Sequence, residues 1–469
     1  MNFYFEAAKI LDRVEGKQGS IKGIIATLPE EDRRRTAALV IETLKFKSAL
    51  NEVIDKSNLM NEERKLTSKN LVLVLVHDLL LARGIQAGDG PIKQAILRHK
   101  TRLHGEFQKI KIKRGVVSNG QLAHNGDERA GLIPRYVRVN TNLGTLEEVV
   151  ESLTSGGFVL SDPFSSKNGF SKDPHVPDLL SFAPSTSFHD NQLYTDGKII
   201  LQDKASCFPA LVLSPPASDN SVVIDATAAP GNKTSHLSAL MMNKGKPQLF
   251  AFERDRKRFS ILKMMLSKAA CKNVSPINAD FLTVDPHDAQ FSSVTHILLD
   301  PSCSGSGIVN RLDHLVETET EDDTTKDDRL DKLAAFQLLM ITHAMRFPNV
   351  KKIVYSTCSI HATENEHVVR NALSSEEAKD GSFILAPQHE VLPTWPRRGY
   401  PEEIDPEYAS CLVRCLPGED STNGFFVSCF VKNQEIPRKK RKDGPIPEHK
   451  LNGSKSRKKK KETPQHGRV

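Results

Sequence analysis

Acidic residues and a cysteine follow five predicted strands in the middle of the chain. Asp225 ends the first strand, and Glu253, Asp280, Asp300 and Cys358 stand at the ends of the next four. Because the carboxyl ends of parallel strands meet at one edge of a sheet, we expect these five side chains to line that edge. The alternative is that each acid only caps the next helix, and four acids in register make this the weaker interpretation.

Two cysteines are predicted to reach this edge from neighbouring strands. Cys303 lies in DPSCSGSG after the fourth strand, and Cys358 lies in YSTCS after the fifth. A cysteine in a loop of small residues near a helix start is exposed, and its thiolate form is favoured. A thiolate that adds to carbon 6 of a pyrimidine makes carbon 5 nucleophilic, and a hydrogen bond from Asp300 to ring nitrogen 3 stabilises the developing charge. The base must leave its stack to reach such a site.

Two other uses of this edge are less favoured. Methylation of an exocyclic amine relies on an aromatic residue after Asp-Pro-Pro, whereas Ser302 and Cys303 stand at the corresponding positions here. A redox pair typically has C-x-x-C spacing, which the sequence lacks.

The remaining cysteines predict neither disulfides nor a metal site. The chain has seven cysteines, an odd number, and no C-x-x-C pair. Cys411 and Cys415 lack a second pair at zinc spacing, so we expect no metal. Three others are predicted to be small core residues, namely Cys207, Cys271 and Cys429.

The segment from Ser221 to Lys233, SVVIDATAAPGNK, is typical of a strand, a tight turn and a helix start. Helix-start amides at the end of a parallel strand favour a nucleotide-type ligand. The loop lacks G-x-G-x-x-G, so NAD is disfavoured and a mononucleoside such as S-adenosylmethionine is favoured. A carboxylate after the second strand, here Glu253, suits the ribose hydroxyls of that ligand.

Hydrophobic periodicity divides the chain into four parts. Residues 1–115 show helical spacing, and residues 131–195 begin as a small α/β subdomain with a capping box at Thr145 and Glu148. Strands alternate with helices through residues 196–432, which predicts a doubly wound sheet. Residues 433–469 carry RKKRK and RKKKK and are predicted to be a disordered basic tail with a nuclear or nucleolar address.

The net charge of +7 is distributed unevenly. Residues 1–115 carry 22 Lys and Arg against 14 Asp and Glu, and the tail carries 13 against 4. Basic ends around an acidic middle favour contact with a polyanion, although a solvated helix face explains the excess of basic residues in residues 1–115 equally well.

Residues 309–332 hold 9 acidic and 4 basic residues and are predicted to be a solvated loop without a chemical role. No apolar run is long enough to span a membrane, and we expect an intracellular protein.

Three motifs in order resemble the signatures of the Sun (Nol/Nop-type) family of RNA cytosine-5 methyltransferases. These motifs are DATAAPGNKTSH, DPSCSGSG and YSTCSIHATENE, and the resemblance covers about residues 130–432. It implies a Rossmann-like class I methyltransferase sheet, preceded by an RRM-like subdomain and a helical module that binds RNA. The amino-terminal sequence and the QDKAS and PGNK segments are similar to the branch that modifies large-subunit ribosomal RNA.

The resemblance also implies roles for individual residues. Cys358 corresponds to the nucleophile and Cys303 to the cysteine that assists product release. The implied methyl-donor residues are Thr227, Ala228, Ala229, Pro230, Gly231, Asn232, Lys233, Glu253, Arg258, Asp280 and Asp300. Thr227 stands where cysteine is common, and Asn232 where a second glycine is usual; asparagine tolerates left-handed geometry, so the turn is expected to survive.

The leading hypothesis is therefore an S-adenosylmethionine-dependent methyltransferase that acts on a cytosine of large-subunit ribosomal RNA in the nucleolus, with a pre-ribosomal particle as a candidate partner. One alternative is the same chemistry on transfer RNA, and the site residues do not distinguish ribosomal from transfer RNA. Another alternative is an RNA-binding ribosome assembly factor without catalytic turnover. The presence of a complete set of site residues argues against it, namely Cys303, Cys358, Asp300 and Lys233.

Overall fold

The computed structural model describes residues 1–433 apart from 17, 20, 125, 126, 219, 243–247, 310–314 and 316–322. The chain divides into a compact unit of Met1–Lys432 and a second unit of Asn433–Val469. The predicted disorder and nuclear address of the basic tail, and half of the predicted acidic loop, lie outside the described residues.

The first part of the chain is helical, as its periodicity predicts. Helix α6 is at its centre and is apolar on all sides, so its residues from Leu71 to Val76 are all buried. The Ser68 hydroxyl caps this helix by accepting a hydrogen bond from the Leu71 amide. The helices are α1 (Asn2–Glu15), α2 (Ile21–Ile25), α3 (Glu30–Lys45), α4 (Lys47–Lys56), α5 (Leu59–Glu62), α6 (Lys69–Leu81), α7 (Pro91–Arg98) and α8 (Lys100–Lys113).

A small α/β sheet follows. Thr145 and Glu148 form the predicted capping box at the start of α9, and Gly156 ends that helix. The strands lie in the order β2-β3-β4-β1-β5. The elements are β1 (Arg135–Val139), α9 (Leu146–Ser155), β2 (Val159–Leu160), β3 (Gly169–Lys172), β4 (Leu179–Phe182), α10 (Gln192–Thr195) and β5 (Ile199–Leu201).

The larger sheet has the predicted doubly wound core. Strands β8, β7, β6, β9 and β10 are parallel, and β13 runs antiparallel beside β10. The elements are α11 (Lys204–Leu213), β6 (Val223–Asp225), α12 (Asn232–Leu240), β7 (Leu249–Phe252), α13 (Arg256–Lys268), β8 (Val274–Ile277), β9 (His296–Leu299), α14 (Asp323–Met345), β10 (Lys352–Thr357), α15 (Glu366–Ser374), α16 (Glu376–Gly381), β11 (Phe383–Leu385), α17 (Pro406–Ser410), β12 (Val413–Cys415) and β13 (Phe425–Lys432).

The structure corrects two of the sequence predictions. Strand β5, which the sequence assigns to residues 196–432, pairs with β1 of the small sheet because its buried Ile199 belongs to the core of that sheet. Helix α14 begins at Asp323, inside the segment predicted to be a loop. Its buried residues Met340 and Ile341 anchor the helix, and each further turn adds hydrogen bonds without a new nucleation cost, so the polar end continues as helix.

Candidate active site

The loop after β6 is tied to the first residues of α12. The Asp225 carboxylate is buried and accepts hydrogen bonds from the Thr234 hydroxyl (2.7 Å) and the Thr227 amide (3.4 Å). Burial raises the pKa of Asp225 to about 6 despite these bonds. Asp225 therefore stabilises the loop through buried hydrogen bonds and does not line the cavity at the ends of the parallel strands.

Gly231, rather than Asn232, adopts the left-handed conformation in this loop, with φ of 116°. Asn232 is the first residue of α12, and its side-chain amide donates to the Leu201 carbonyl at 3.4 Å. The turn therefore does not depend on the tolerance of asparagine for positive φ, because glycine occupies the position that requires it.

A cavity of about 290 Å³ opens at the carboxyl ends of the parallel strands. Four of the five predicted strand-end residues line it, which confirms their common edge; Asp225 does not. The lining comprises Ala226, Thr227, Ala229, Phe252, Glu253, Arg254, Arg258, Ala279, Asp280, Phe281, Asp300, Pro301, Ser302, Cys303, Gly305, Phe336, Met340 and Cys358. The other loop residues lie elsewhere: Ala228 is buried, while Pro230, Gly231 and Asn232 line a separate cavity beside β5.

Two carboxylates on one side of the cavity have cationic neighbours. Glu253 Oε2 lies 3.4 Å from Arg258 Nη1, and the other nitrogen of this guanidinium donates to the Ala229 carbonyl at 2.8 Å. Asp280 Oδ2 lies 3.4 Å from Arg254 Nη1. The second oxygens also have partners: Glu253 Oε1 accepts from the Asp255 amide at 2.8 Å, and Asp280 Oδ1 accepts from the Leu282 amide at 3.0 Å. Because each carboxylate oxygen has two lone pairs, a second acceptor position remains on these oxygens for hydroxyl and amine donors of a ligand.

Asp300 joins three elements at the floor of the cavity. Its Oδ2 lies 2.8 Å from Lys233 Nζ, and its Oδ1 accepts from the Ser356 hydroxyl at 2.8 Å. The Asp300 amide donates to the Thr227 hydroxyl at 3.0 Å. Threonine at position 227 thus makes a hydrogen bond that fixes the end of β9 against the loop. Burial opposes the charge of Lys233, but Asp300 outweighs it and raises the pKa of Lys233, so this side chain stays cationic.

The two predicted cysteines meet in the cavity. Cys303 Sγ and Cys358 Sγ are 3.0 Å apart, although 55 residues separate them. The Gly307 amide donates to the Cys358 carbonyl at 2.9 Å, which holds the two cysteine loops side by side. The hydrogen bond with Cys358, burial and nearby carboxylates raise the pKa of the Cys303 thiol strongly. Cys303 is therefore a neutral thiol at physiological pH.

Sequence reasoning missed the wall of the cavity that α14 supplies. Phe336 and Met340 line this wall, and the Arg254 guanidinium lies 5.8 Å from the centre of the Phe336 ring. These residues lie in an ordinary amphipathic helix, so no local motif marks them. The residues that hold the cysteine loops, Gln337 and Glu364, were also missed; Glu364 lies in the quoted YSTCSIHATENE motif, which was the available signal.

The other cysteines do not gather into a cluster. No disulfide joins any of the seven cysteines, which all lie among the described residues, and within the described ranges no group of His, Cys, Asp and Glu is placed to hold a metal ion. Cys207 and Cys429 are buried in the core as predicted, whereas Cys271 is partly exposed. No helix in the part of the chain that the structure describes is both long and apolar enough to cross a membrane.

Three family models match successive parts of the chain. The model for the amino-terminal domain of NOL1/NOP2/Sun domain family member 5 matches residues 34–123, and the ferredoxin-like domain of the same member matches residues 133–202. The model described as 16S rRNA methyltransferase RsmB/F matches residues 210–431.

Curated relatives align along most of their length. The 25S rRNA (cytosine-C(5))-methyltransferase of Schizosaccharomyces pombe is 44% identical over 430 residues, 91% of each chain. The mouse 28S rRNA (cytosine-C(5))-methyltransferase is 40% identical over 447 residues, 93% of this chain and 92% of the relative. A crystal structure of a methyltransferase homologue from Pyrococcus horikoshii covers 80% of this chain and 99% of its own, with a TM-score of 0.51 and 22% identity, a likeness of fold.

The strand order and the matched ranges define a Rossmann-like methyltransferase with a ferredoxin-like domain before it. The chain belongs to the NOL1/NOP2/Sun family, in the branch that contains these large-subunit relatives. The resemblance based on the three sequence motifs is thereby confirmed.

Proposed function

We propose that this protein methylates carbon 5 of a cytosine in large-subunit ribosomal RNA, with S-adenosylmethionine as the methyl donor and a covalent bond between Cys358 and carbon 6 of the base. The observation that carries the proposal is the 3.0 Å approach of Cys303 and Cys358 in a cavity that also contains Asp300, Glu253 and Asp280. A thiol pair beside three carboxylates suits the activation of a pyrimidine next to a nucleoside ligand.

The residues of the cavity fit the proposed donor. The free lone pairs of Glu253 suit ribose hydroxyls, and Asp280 suits the exocyclic amine of adenine. The bound donor supplies an electrophilic methyl group. Of the predicted loop residues from Thr227 to Lys233, Thr227 and Ala229 line the cavity and are proposed to contact the donor, whereas Pro230, Gly231 and Asn232 line the separate cavity. Arg258 fixes the loop by its bond to the Ala229 carbonyl.

The chain's own groups account for the activation of the cytosine. The Cys358 thiolate adds to carbon 6, which makes carbon 5 nucleophilic, and Asp300 donates to ring nitrogen 3 a proton that it takes from Lys233 as charge develops there. Lys233 Nζ lies 2.8 Å from Asp300 Oδ2 and is the source of that proton. After carbon 5 is methylated, solvent water takes its proton, the electron pair re-forms the double bond between carbons 5 and 6, and the bond from carbon 6 to sulfur breaks with Cys358 leaving as the thiolate. The neutral Cys303 thiol, 3.0 Å away, is proposed to donate a hydrogen bond to the departing sulfur.

The choice of ribosomal RNA rests on the relatives. Both relatives named above are described as methyltransferases of large-subunit RNA and align over at least nine-tenths of this chain. Bisulfite sequencing of cellular RNA with and without the protein tests the choice. We expect one cytosine of large-subunit RNA to lose methylation; loss confined to transfer RNA would contradict the proposal.

The basic ends of the chain are proposed to hold the RNA. The excess of Lys and Arg in residues 1–115 and in the tail provides phosphate contacts, and the tail directs the protein to the nucleolus and the pre-ribosomal particle. Removal of residues 433–469 should weaken salt-sensitive RNA binding and nuclear retention. Loss of donor binding as well would contradict this role.

Trapping of the covalent intermediate tests the chemistry. Cys303→Ala should accumulate a complex between Cys358 and RNA that survives denaturing electrophoresis, and Cys303→Ala/Cys358→Ala should give none. An assembly factor without turnover would form no adduct in either variant. Absence of the adduct together with full activity of the unmodified protein would refute the two-cysteine mechanism.

A further inference from the structure

Glu364 is a fully buried carboxylate at the end of a 3-10 turn, six residues after Cys358. Among the ion pairs of the described residues, none involves Glu364. Its carboxylate instead accepts three hydrogen bonds, from the Ser304 amide (2.9 Å), the Ser304 hydroxyl (2.6 Å) and Gln337 Nε2 (3.0 Å). All three donors are uncharged groups, and the carboxylate is enclosed by the protein.

These hydrogen bonds connect the loops of the two cysteines. Ser304 follows Cys303 directly, while Glu364 belongs to the segment after Cys358. Gln337 of α14 donates to both the Ser302 carbonyl and Glu364, at 3.1 and 3.0 Å. The residues on both sides of Cys303 are therefore held by one buried carboxylate and the amide that it binds.

The charges around the two sulfur atoms are asymmetric. Cys303 faces the carboxylates of Glu364 and Asp300, both of which disfavour its thiolate. Cys358 instead interacts with the positive charge of the Lys233 ammonium. Tyr355 of β10 is a further titratable neighbour; burial raises its pKa well above the ordinary value, so it stays neutral. Its hydroxyl donates to Gln337 Oε1 at 2.9 Å.

We propose that Glu364 is a positioning residue that keeps the proton on Cys303 and holds this sulfur beside Cys358, so that Cys358 is the thiolate that attacks the base. The effect of Glu364 on catalysis rests on the proposed function, but the protonation of the two thiols is measurable without RNA or methyl donor. In this scheme Glu364 contacts neither the base nor the methyl donor, and it acts on Cys303 through Ser304.

The substitution Glu364→Gln removes the carboxylate while it keeps the size and shape of the side chain. The glutamine oxygen retains the bonds from the Ser304 amide and Gln337, while its amide nitrogen donates to the Ser304 hydroxyl. That hydroxyl has a second neighbour in Ser359 Oγ at 3.2 Å, to which its single hydrogen turns in the variant. The variant is therefore expected to keep its melting temperature, which verifies folding, and to lose only the negative charge.

The test is alkylation of each thiol by iodoacetamide between pH 6 and 10, followed by mass spectrometry. In a Cys358→Ser background, Glu364→Gln should move the midpoint for Cys303 alkylation about one pH unit lower or more. In a Cys303→Ser background, the midpoint for Cys358 should move less. The exposed Glu376→Gln is the matched control and should move neither. An unchanged Cys303 midpoint would overturn the proton assignment.

A second variant tests the positioning. Glu364→Ala removes the acceptor of three donors, so with both cysteines present the release of RNA from Cys358, which Cys303 assists, should slow at least tenfold, and Glu364→Gln should restore most of the release rate. If Glu364→Ala does not fold, the comparison is made between Glu364→Gln and Ser304→Ala, of which only Ser304→Ala should slow the release. A release rate equal to that of the unmodified protein in the alanine variants would overturn the positioning role. Failure of the proposed function is distinguished by the absence of any adduct in the Cys303→Ala variant.

Discussion

Lys233 at the start of α12 and Asp300 at the end of β9 form an ion pair of 2.8 Å at the floor of the candidate active site. Lys233 Nζ also donates to the Ser206 hydroxyl of α11 at 3.2 Å. One cation thus joins two helices and a strand end, and it also interacts electrostatically with Cys358.

Lys233→Met should reduce methylation about 100-fold, because a preorganised charge beside the reacting base is lost. The measurement is transfer of a tritiated methyl group to a large-subunit RNA transcript at saturating RNA. The exposed Lys257→Met, on α13, is the control and should retain the parental rate. A Lys233→Met rate within threefold of the parent would contradict a catalytic role for the ion pair.

Phe336→Ala should weaken binding of the methyl donor about tenfold, since an apolar wall of the cavity is removed. Calorimetric titration with S-adenosylhomocysteine measures the change. Leu339→Ala is the matched control, because this side chain lies on the same helix, is 58% exposed and does not line the cavity. Equal affinity of the two variants would show that Phe336 does not contact the donor.

Gly307→Ala should destabilise the junction of the cysteine loops by about 1–3 kcal/mol, because an added Cβ would lie 2.3 Å from the Gly424 carbonyl oxygen. Gly105→Ala in α8 is the contrasting control. Its Cβ would meet no atom within 4 Å, so the change should stabilise the protein by about 0.5–1 kcal/mol through helix propensity. Chemical denaturation compares the two; equal stability changes would refute the close approach.

Asp225 should make folding stability depend on pH in the acid range. Its pKa is about 6 in the folded protein against 3.8 ordinarily, so the folded state binds its proton more tightly than the unfolded state. The associated stabilisation is complete below pH 3.8 and is lost as the pH rises through 6, a change of about 3 kcal/mol. Asp225→Asn should remove this part of the pH dependence between pH 4 and 6 in denaturation curves, and an identical dependence in both proteins would contradict burial as its cause.

The shared position of four residues at one sheet edge could be predicted from the amino-acid sequence alone, namely Glu253, Asp280, Asp300 and Cys358. Parallel strands point the same way, so residues that follow them must emerge together, and a strand is recognisable from a short apolar run. The capping box of Thr145 and Glu148 was equally readable, because both partners lie within one helical turn.

The contacts between segments distant in the sequence could not be predicted and are seen in the tertiary structure alone. The bond of Glu364 to Ser304 joins residues 60 positions apart, and Phe336 reaches the cavity from a helix whose local pattern is ordinary. Strand β5 joined the small sheet because its apolar residues pack in that core, although its own sequence would suit either sheet. Local sequence determines which element forms, whereas the neighbour of a side chain depends on how all elements pack, and that is a property of the whole chain.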